Sequence, residues 1–193
     1  MAQGTANLNR NQAVEFIPGT GPNGETQIAV PLITSPSQRV SATVTRPADT
    51  TAYASGDLVA NSTTAGSVTP MQFTVALWAG GTGMIRRCRI RKTGTSITNA
   101  SFRLHLYNAS PTPANGDNGA FSTNQAANYV GALDVTMGQA FTDGASGNGV
   151  PLVGSEINFD LPSGTVLYGL LEARAAYTPG SGEVFTVDLE VLN

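Results

Sequence analysis

The densest run of reactive residues in the chain is Arg86-Arg87-Cys88-Arg89-Ile90-Arg91-Lys92, which holds five of its ten basic side chains. On an extended strand, successive side chains point to opposite faces, so Arg87, Arg89 and Arg91 form a guanidinium ladder repeating about every 6.8 Å. Arg86, Cys88 and Ile90 are then expected on the other face. The last run offers a complement: Thr186, Asp188 and Glu190 alternate with Phe185, Val187, Leu189 and Val191. Two arrangements satisfy this pattern, cross-strand ion pairs inside the chain or contact with another subunit. Arg87, Arg89, Arg91, Asp188 and Glu190 are therefore the candidate interface residues.

The remaining reactive residues do not assemble into a catalytic pattern. His105, the only histidine, lies opposite Phe102, Leu104 and Leu106, between Arg103 and Tyr107. A hydrolytic triad needs an activated Ser or Cys beside such a histidine, and no Gly-x-Ser-x-Gly elbow occurs. Asn115, Asp117 and Asn118 could wrap a hard cation, or could shape Asx turns, and they lack the dense carboxylates of a tight calcium site. Gly80-Gly81-Thr82-Gly83 lacks the Lys-Ser/Thr pair of a phosphate cradle. The other carboxylates are scattered, and Trp78 is the only tryptophan, which is little for a sugar platform. The expectation is a protein that is not an enzyme and uses no cofactor and no metal.

Composition narrows the partners. Charged residues make up 12% of the 193, against roughly 25% in an ordinary domain, while apolar residues reach 40% at a net charge of −3. Disorder needs the opposite balance, so a folded domain with polar loops is expected. Nine of the ten cations are arginine, whose planar fork suits fixed, desolvated contacts. An isoelectric point near 5.0 argues against nucleic acid as partner. Cys88 stands alone, which rules out an intrachain disulfide. The first residues lack the apolar core of a signal peptide and no run is long enough for a membrane helix, so synthesis in a host cytoplasm and no membrane partner are expected.

These residues must be positioned by strands. Val40, Ala42 and Val44 alternate with polar residues, as do Met71, Phe73, Val75 and Leu77, then Phe102, Leu104 and Leu106, then the final run. Clusters of Gly, Pro, Asn and Asp at 111–119, 143–149, 162–164 and 179–182 read as turns and loops. At most one short helix is expected, over 124–133. The fold class is all-β: an antiparallel β-sandwich, jelly-roll-like, over residues 35–193, preceded by an extended N-terminal arm over 1–34 with apolar islands at 14–17 and 28–33.

Three segments carry a family resemblance. Val44-Thr45-Arg46-Pro47-Ala48-Asp49-Thr50-Thr51-Ala52-Tyr53-Ala54-Ser55-Gly56-Asp57 is the first. Phe102 to Asn108, with Pro111 and Asp117-Asn118-Gly119-Ala120-Phe121, is the second, and Tyr129-Val130-Gly131 is the third. Together they resemble small virion proteins of tailed bacteriophages, of the head decoration or cement type, from about residue 40 onward. The resemblance implies a non-enzymatic structural role on the phage head surface, with the major capsid protein and copies of the chain itself as partners, a trimer before a dimer. A receptor- or carbohydrate-binding module of a fibre or tail is the alternative. In the first segment Asp49, Tyr53 and Asp57 are expected to set loop conformation or contact a ligand, and Asp117 joins them from the second.

Overall fold

The computed structural model describes residues 37–151 and 155–193, together with two short strands, β1 (Ala6–Asn7) and β2 (Ala13–Val14), which pair with each other antiparallel. The rest of the expected arm lies outside the described residues. The chain divides into two units, Met1–Pro36 and Ser37–Asn193, and the second holds the core.

Eleven strands build that second unit: β3 (Ser37–Thr45), β4 (Leu58–Val59), β5 (Met71–Thr74), β6 (Thr82–Lys92), β7 (Ser101–Tyr107), β8 (Tyr129–Thr136), β9 (Gln139–Phe141), β10 (Gly144–Gly149), β11 (Ile157–Asp160), β12 (Val166–Ala173) and β13 (Val184–Leu192). One sheet runs β3-β13-β6-β10-β9, with β11 also on β6. The other runs β4-β12-β7-β8, with β5 also on β12. Strands β4 and β5 share one partner, as do β10 and β11, so apart from the short edge strand β9 the second unit makes eight strand positions. Position one pairs with eight, two with seven, three with six and four with five, all antiparallel. That is a long hairpin rolled into two layers: a jelly roll.

The two inner faces meet in one apolar core. Phe102, Leu104 and Val135 from one sheet pack against Cys88, Ile90, Val187 and Leu189 from the other, and the Phe102 ring meets Phe185 edge-on at 5.1 Å between centroids. Alternation therefore has the meaning expected of it, because each strand presents one face to this layer. Cys88 is fully buried beside Ile90.

Four local expectations are corrected. Residues 124–133 form a single 3₁₀ turn, Ala126–Asn128, and then strand β8; Tyr129 and Val130 favour a strand, and pairing with β7 from Tyr107 to Ser101 decides the conformation. Residues 144–149, expected as loop, are strand β10. Two of its three glycines lie against β8, where a Cβ on Gly147 or Gly149 would come within 2.2 or 2.3 Å of the carbonyl oxygens of Thr136 or Asp134. Leu77 is not a core residue: β5 ends at Thr74, and the amides of Val75 and Ala76 both donate to Thr165 O, turning the chain so that Leu77 and Trp78 are exposed. The fourth, at Arg86, belongs to the arginine face below.

Candidate functional site

The arginine face is the outer surface of the larger sheet. Strand β13 sets Asp188 opposite Arg89, Glu190 opposite Arg87 and Thr186 opposite Arg91. Asp188 is 3% exposed. Its carboxylate accepts from Arg89 Nε and Nη2 at 3.0 and 2.8 Å, Arg91 Nε at 3.3 Å, Arg39 Nη2 at 3.1 Å and the Ser41 hydroxyl. Burial pushes this carboxyl upward, but the hydrogen bonds from Ser41, Arg89 and Arg39 and the charge of Arg91 outweigh it and hold it at about 2. Glu190 pairs with Arg87 at 2.7 Å and lies 3.8 Å from Arg86.

Arg86 is expected to share the inner face with Cys88, yet it is exposed. The register slips by one residue between Glu190 and Val191, so that Glu190 pairs with Arg87 and Val191 with Ile85. This β-bulge leaves Arg86 unopposed and turns both arginines outward. Without it a guanidinium would enter the core. Arg39, from the neighbouring edge strand β3, is the member of the face that alternation within single strands does not reveal.

The loop residues come together in a different place, at one end of the sandwich. The Arg46 guanidinium and the Asp117 carboxylate are both fully buried and 2.9 Å apart. Asp117 also accepts from Tyr53 OH at 2.6 Å and from the Ala60 amide at 2.8 Å, and Arg46 Nε donates to the Tyr53 hydroxyl. Burial opposes the charge on Arg46, but Tyr53 and Asp117 more than restore it. Asp49 closes the rim: its carboxylate accepts from Arg46 at 3.3 Å and from the Thr51 amide at 2.9 Å, the Asx turn expected of it. Asp57 accepts from the Ala54 amide at 2.6 Å and caps its own turn, without joining Arg46.

A second buried pair adjoins the first. Lys92 Nζ donates to Glu183 at 3.0 Å, to Tyr177 OH at 2.8 Å and to Gly94 O at 2.7 Å. Burial lowers the Lys92 pKa against the opposing pull of Glu183. Backbone bonds from Tyr53 N to Tyr177 O and from Arg46 N to Glu183 O join the two clusters. Tyr177 and Glu183 escape a search for reactive patterns, and Lys92 enters it only as the end of the basic run. One signal was present: Lys92 has the same strand parity as Cys88 and Ile90, so it had to point inward and find a partner there.

His105 stands on the outer face of the smaller sheet, as its alternation implies. Its Nε2 lies 2.7 Å from Glu172, its ring stacks on Phe121 at 4.1 Å, and Arg174 holds the other Glu172 oxygen at 2.8 Å. Burial lowers the His105 pKa despite Glu172, and Arg103 and Arg174 push the same way. Next to it Arg103 forks onto Asp134 at 2.6 and 2.7 Å. Asn115, by contrast, spends its side-chain amide on Ala120 O, and Asp117 is occupied by Arg46, Tyr53 and Ala60, so the two do not converge on a cation.

No family model matches the chain, and no curated protein matches it. Among solved structures, the chain is similar to the cryo-EM structure of the giant freshwater prawn Macrobrachium rosenbergii extra small virus (XSV) VLP, at 10% identity over 93% of this chain and 94% of that one, with a TM-score of 0.27. A score that low assigns neither family nor function. The jelly roll itself rests on the strand pairing. Within it, most of the charged side chains that sequence singled out serve to hold loops and strands together.

Proposed function

We propose that this chain is a non-enzymatic structural protein of a virion, and more finely a decoration or cement protein that binds and stabilises a phage head together with copies of itself. The observation that carries the reading is the Arg46–Tyr53–Asp117 cluster. The segments that resemble phage virion proteins, 44–57 and 117–121, are the segments that this cluster joins, so the shared residues specify one architecture rather than a chemistry. The sparse charge of the chain supports the same role, since a surface with few charges repels its copies weakly. Cohesion is then the mechanism: a partner that binds only the folded, assembled state stabilises it by mass action.

The test is to purify particles from the virus that encodes the chain, count its copies by quantitative mass spectrometry, and locate it by cryo-electron microscopy. The reading requires a stoichiometric copy number and jelly-roll density on the head surface. Density confined to a fibre or tail, with binding on a glycan array, selects the receptor-binding alternative. Absence from the particle refutes both.

A further inference from the structure

Half of the cations of the chain crowd onto one surface. Arg39, Arg86, Arg87, Arg89 and Arg91 face outward from the larger sheet, with only Asp188 and Glu190 among them. Five positive charges against two negative leave an excess of three, and because the whole chain carries −3 the remainder carries −6. Asp188 is saturated, since it already accepts from three guanidiniums and a hydroxyl. The arginines are not. Each has five N–H donors, and Arg86 and Arg87 are 63% and 60% exposed. Between Arg39 and the Arg87–Arg89 pair lies a groove of about 430 Å³, bordered by Ser146 and Asn148.

The complement lies on the same sheet surface. Along β11, Asn158 and Asp160 point outward while Ile157 and Phe159 are buried, and β11 pairs with β6 at Thr82–Ile85, the end away from Arg89 and Arg91. One carboxylate, Asp160, is thus exposed on this sheet face beyond the arginines.

We propose that the arginine face is a docking surface for the acidic surface of a second copy of this chain, with Asp160 among the residues received. This rests on the assembly role proposed above and adds its geometry. The arginines of two copies cannot oppose one another directly, because like charges would be paired. Each copy's arginines must instead meet the other copy's Asp160 end, a contact that a two-fold axis satisfies reciprocally and a head-to-tail ring satisfies in one direction. A phosphate polymer fits less well: the groove has no aromatic lining on which bases stack, and the chain as a whole is acidic.

The test uses the full chain and the variants R86Q/R87Q, D160N and, as control on the other sheet, R174Q. Arg86, Arg87 and Asp160 are exposed, so thermal unfolding should stay within about 2 °C of wild type and shows that each variant is folded. Sedimentation velocity at about 50 and 500 mM NaCl reads association, across a change that shortens the screening length several-fold. The expectation is a wild-type oligomer that dissociates at high salt, an association weakened at least 10-fold in R86Q/R87Q and measurably in D160N, and no change in R174Q. Association untouched by R86Q/R87Q overturns the proposal. So does a wild-type monomer at both salts that binds fluorescein-labelled oligothymidylate through these arginines, which would assign the face to nucleic acid. A wild-type monomer that is nonetheless counted in purified particles refutes this docking alone, whereas a salt-sensitive oligomer missing from particles refutes the virion role alone.

Discussion

Removing the Asp117 carboxylate should be the most damaging single polar change in the domain. In Asp117→Ala the fully buried Arg46 guanidinium loses its 2.9 Å partner, and Tyr53 OH and the Ala60 amide lose their acceptor. Breaking a buried pair from one side costs about 3–5 kcal/mol, because the other charge stays behind in low dielectric. Asp49 softens the loss only from the rim, 38% exposed and 3.3 Å away. For a domain of this size each kcal/mol moves Tm by about 2–4 °C, so a fall of roughly 10 °C is expected. Asp49→Ala, a partly exposed partner, should lose about 1 kcal/mol or less. Urea unfolding followed by far-UV circular dichroism gives both numbers on one m-value. Should Asp117→Ala cost under 1 kcal/mol, or no more than Asp49→Ala, the cluster would not be what holds the loops, and the case built on it would fail.

Three further outcomes follow from the same structure. Asp188, held at about 2 in the fold against an ordinary value near 3.8, contributes stability that is complete above pH 4 and lost as pH falls towards 2; after allowance for its half-exposed arginine partners this is about 1–2 kcal/mol, and Asp188→Asn should flatten the loss in urea titrations across that window. His105 titrates below 6.5 in the fold, so the unfolded chain takes up a proton first and stability declines as pH drops below about 6.5; NMR titration should give a folded midpoint under 6.5, and a midpoint at or above it would contradict the burial argument. Gly147→Ala drives a methyl into Thr136 O at 2.2 Å and should cost at least about 2 kcal/mol, whereas Ser146→Ala beside it should stay within about 0.5 kcal/mol by the same denaturation assay.

The strands that alternate cleanly were legible, because a two-layer sandwich buries one face of each and period two is the direct imprint of that burial. Even the facing of Asp188 with Arg89 could be anticipated, since both strands carry the same period. Strand β10 was hidden for a physical reason: its glycines let the carbonyls of Lys92, Thr136 and Asp134 approach, and glycine in sequence reads as loop. The bulge at Arg86 was hidden because a one-residue slip leaves no mark in composition. The buried Arg46–Asp117 pair was hidden because its members stand 71 positions apart, and pairing at that range is a property of topology, which alternation does not encode. The loop motifs contain both residues, but Asp117 is expected there only to set a loop or contact a ligand, and Arg46 is given no partner.

The pairing of β3 with β13 has a consequence for synthesis. Ser41 and Asp188, bonded across that pair, are 147 positions apart, and β13 is also the strand that separates β3 from β6. While the nascent chain emerges, β3 and β6 both wait for a neighbour that is translated last among the described strands. The larger sheet cannot zip progressively from the ribosome outward; it closes in one late step, after most of the smaller sheet is available. Chaperones that shield edges should therefore matter most in that interval, and copies of the chain made on one polysome are exposed to each other's unfilled β13 slot before their own strand arrives.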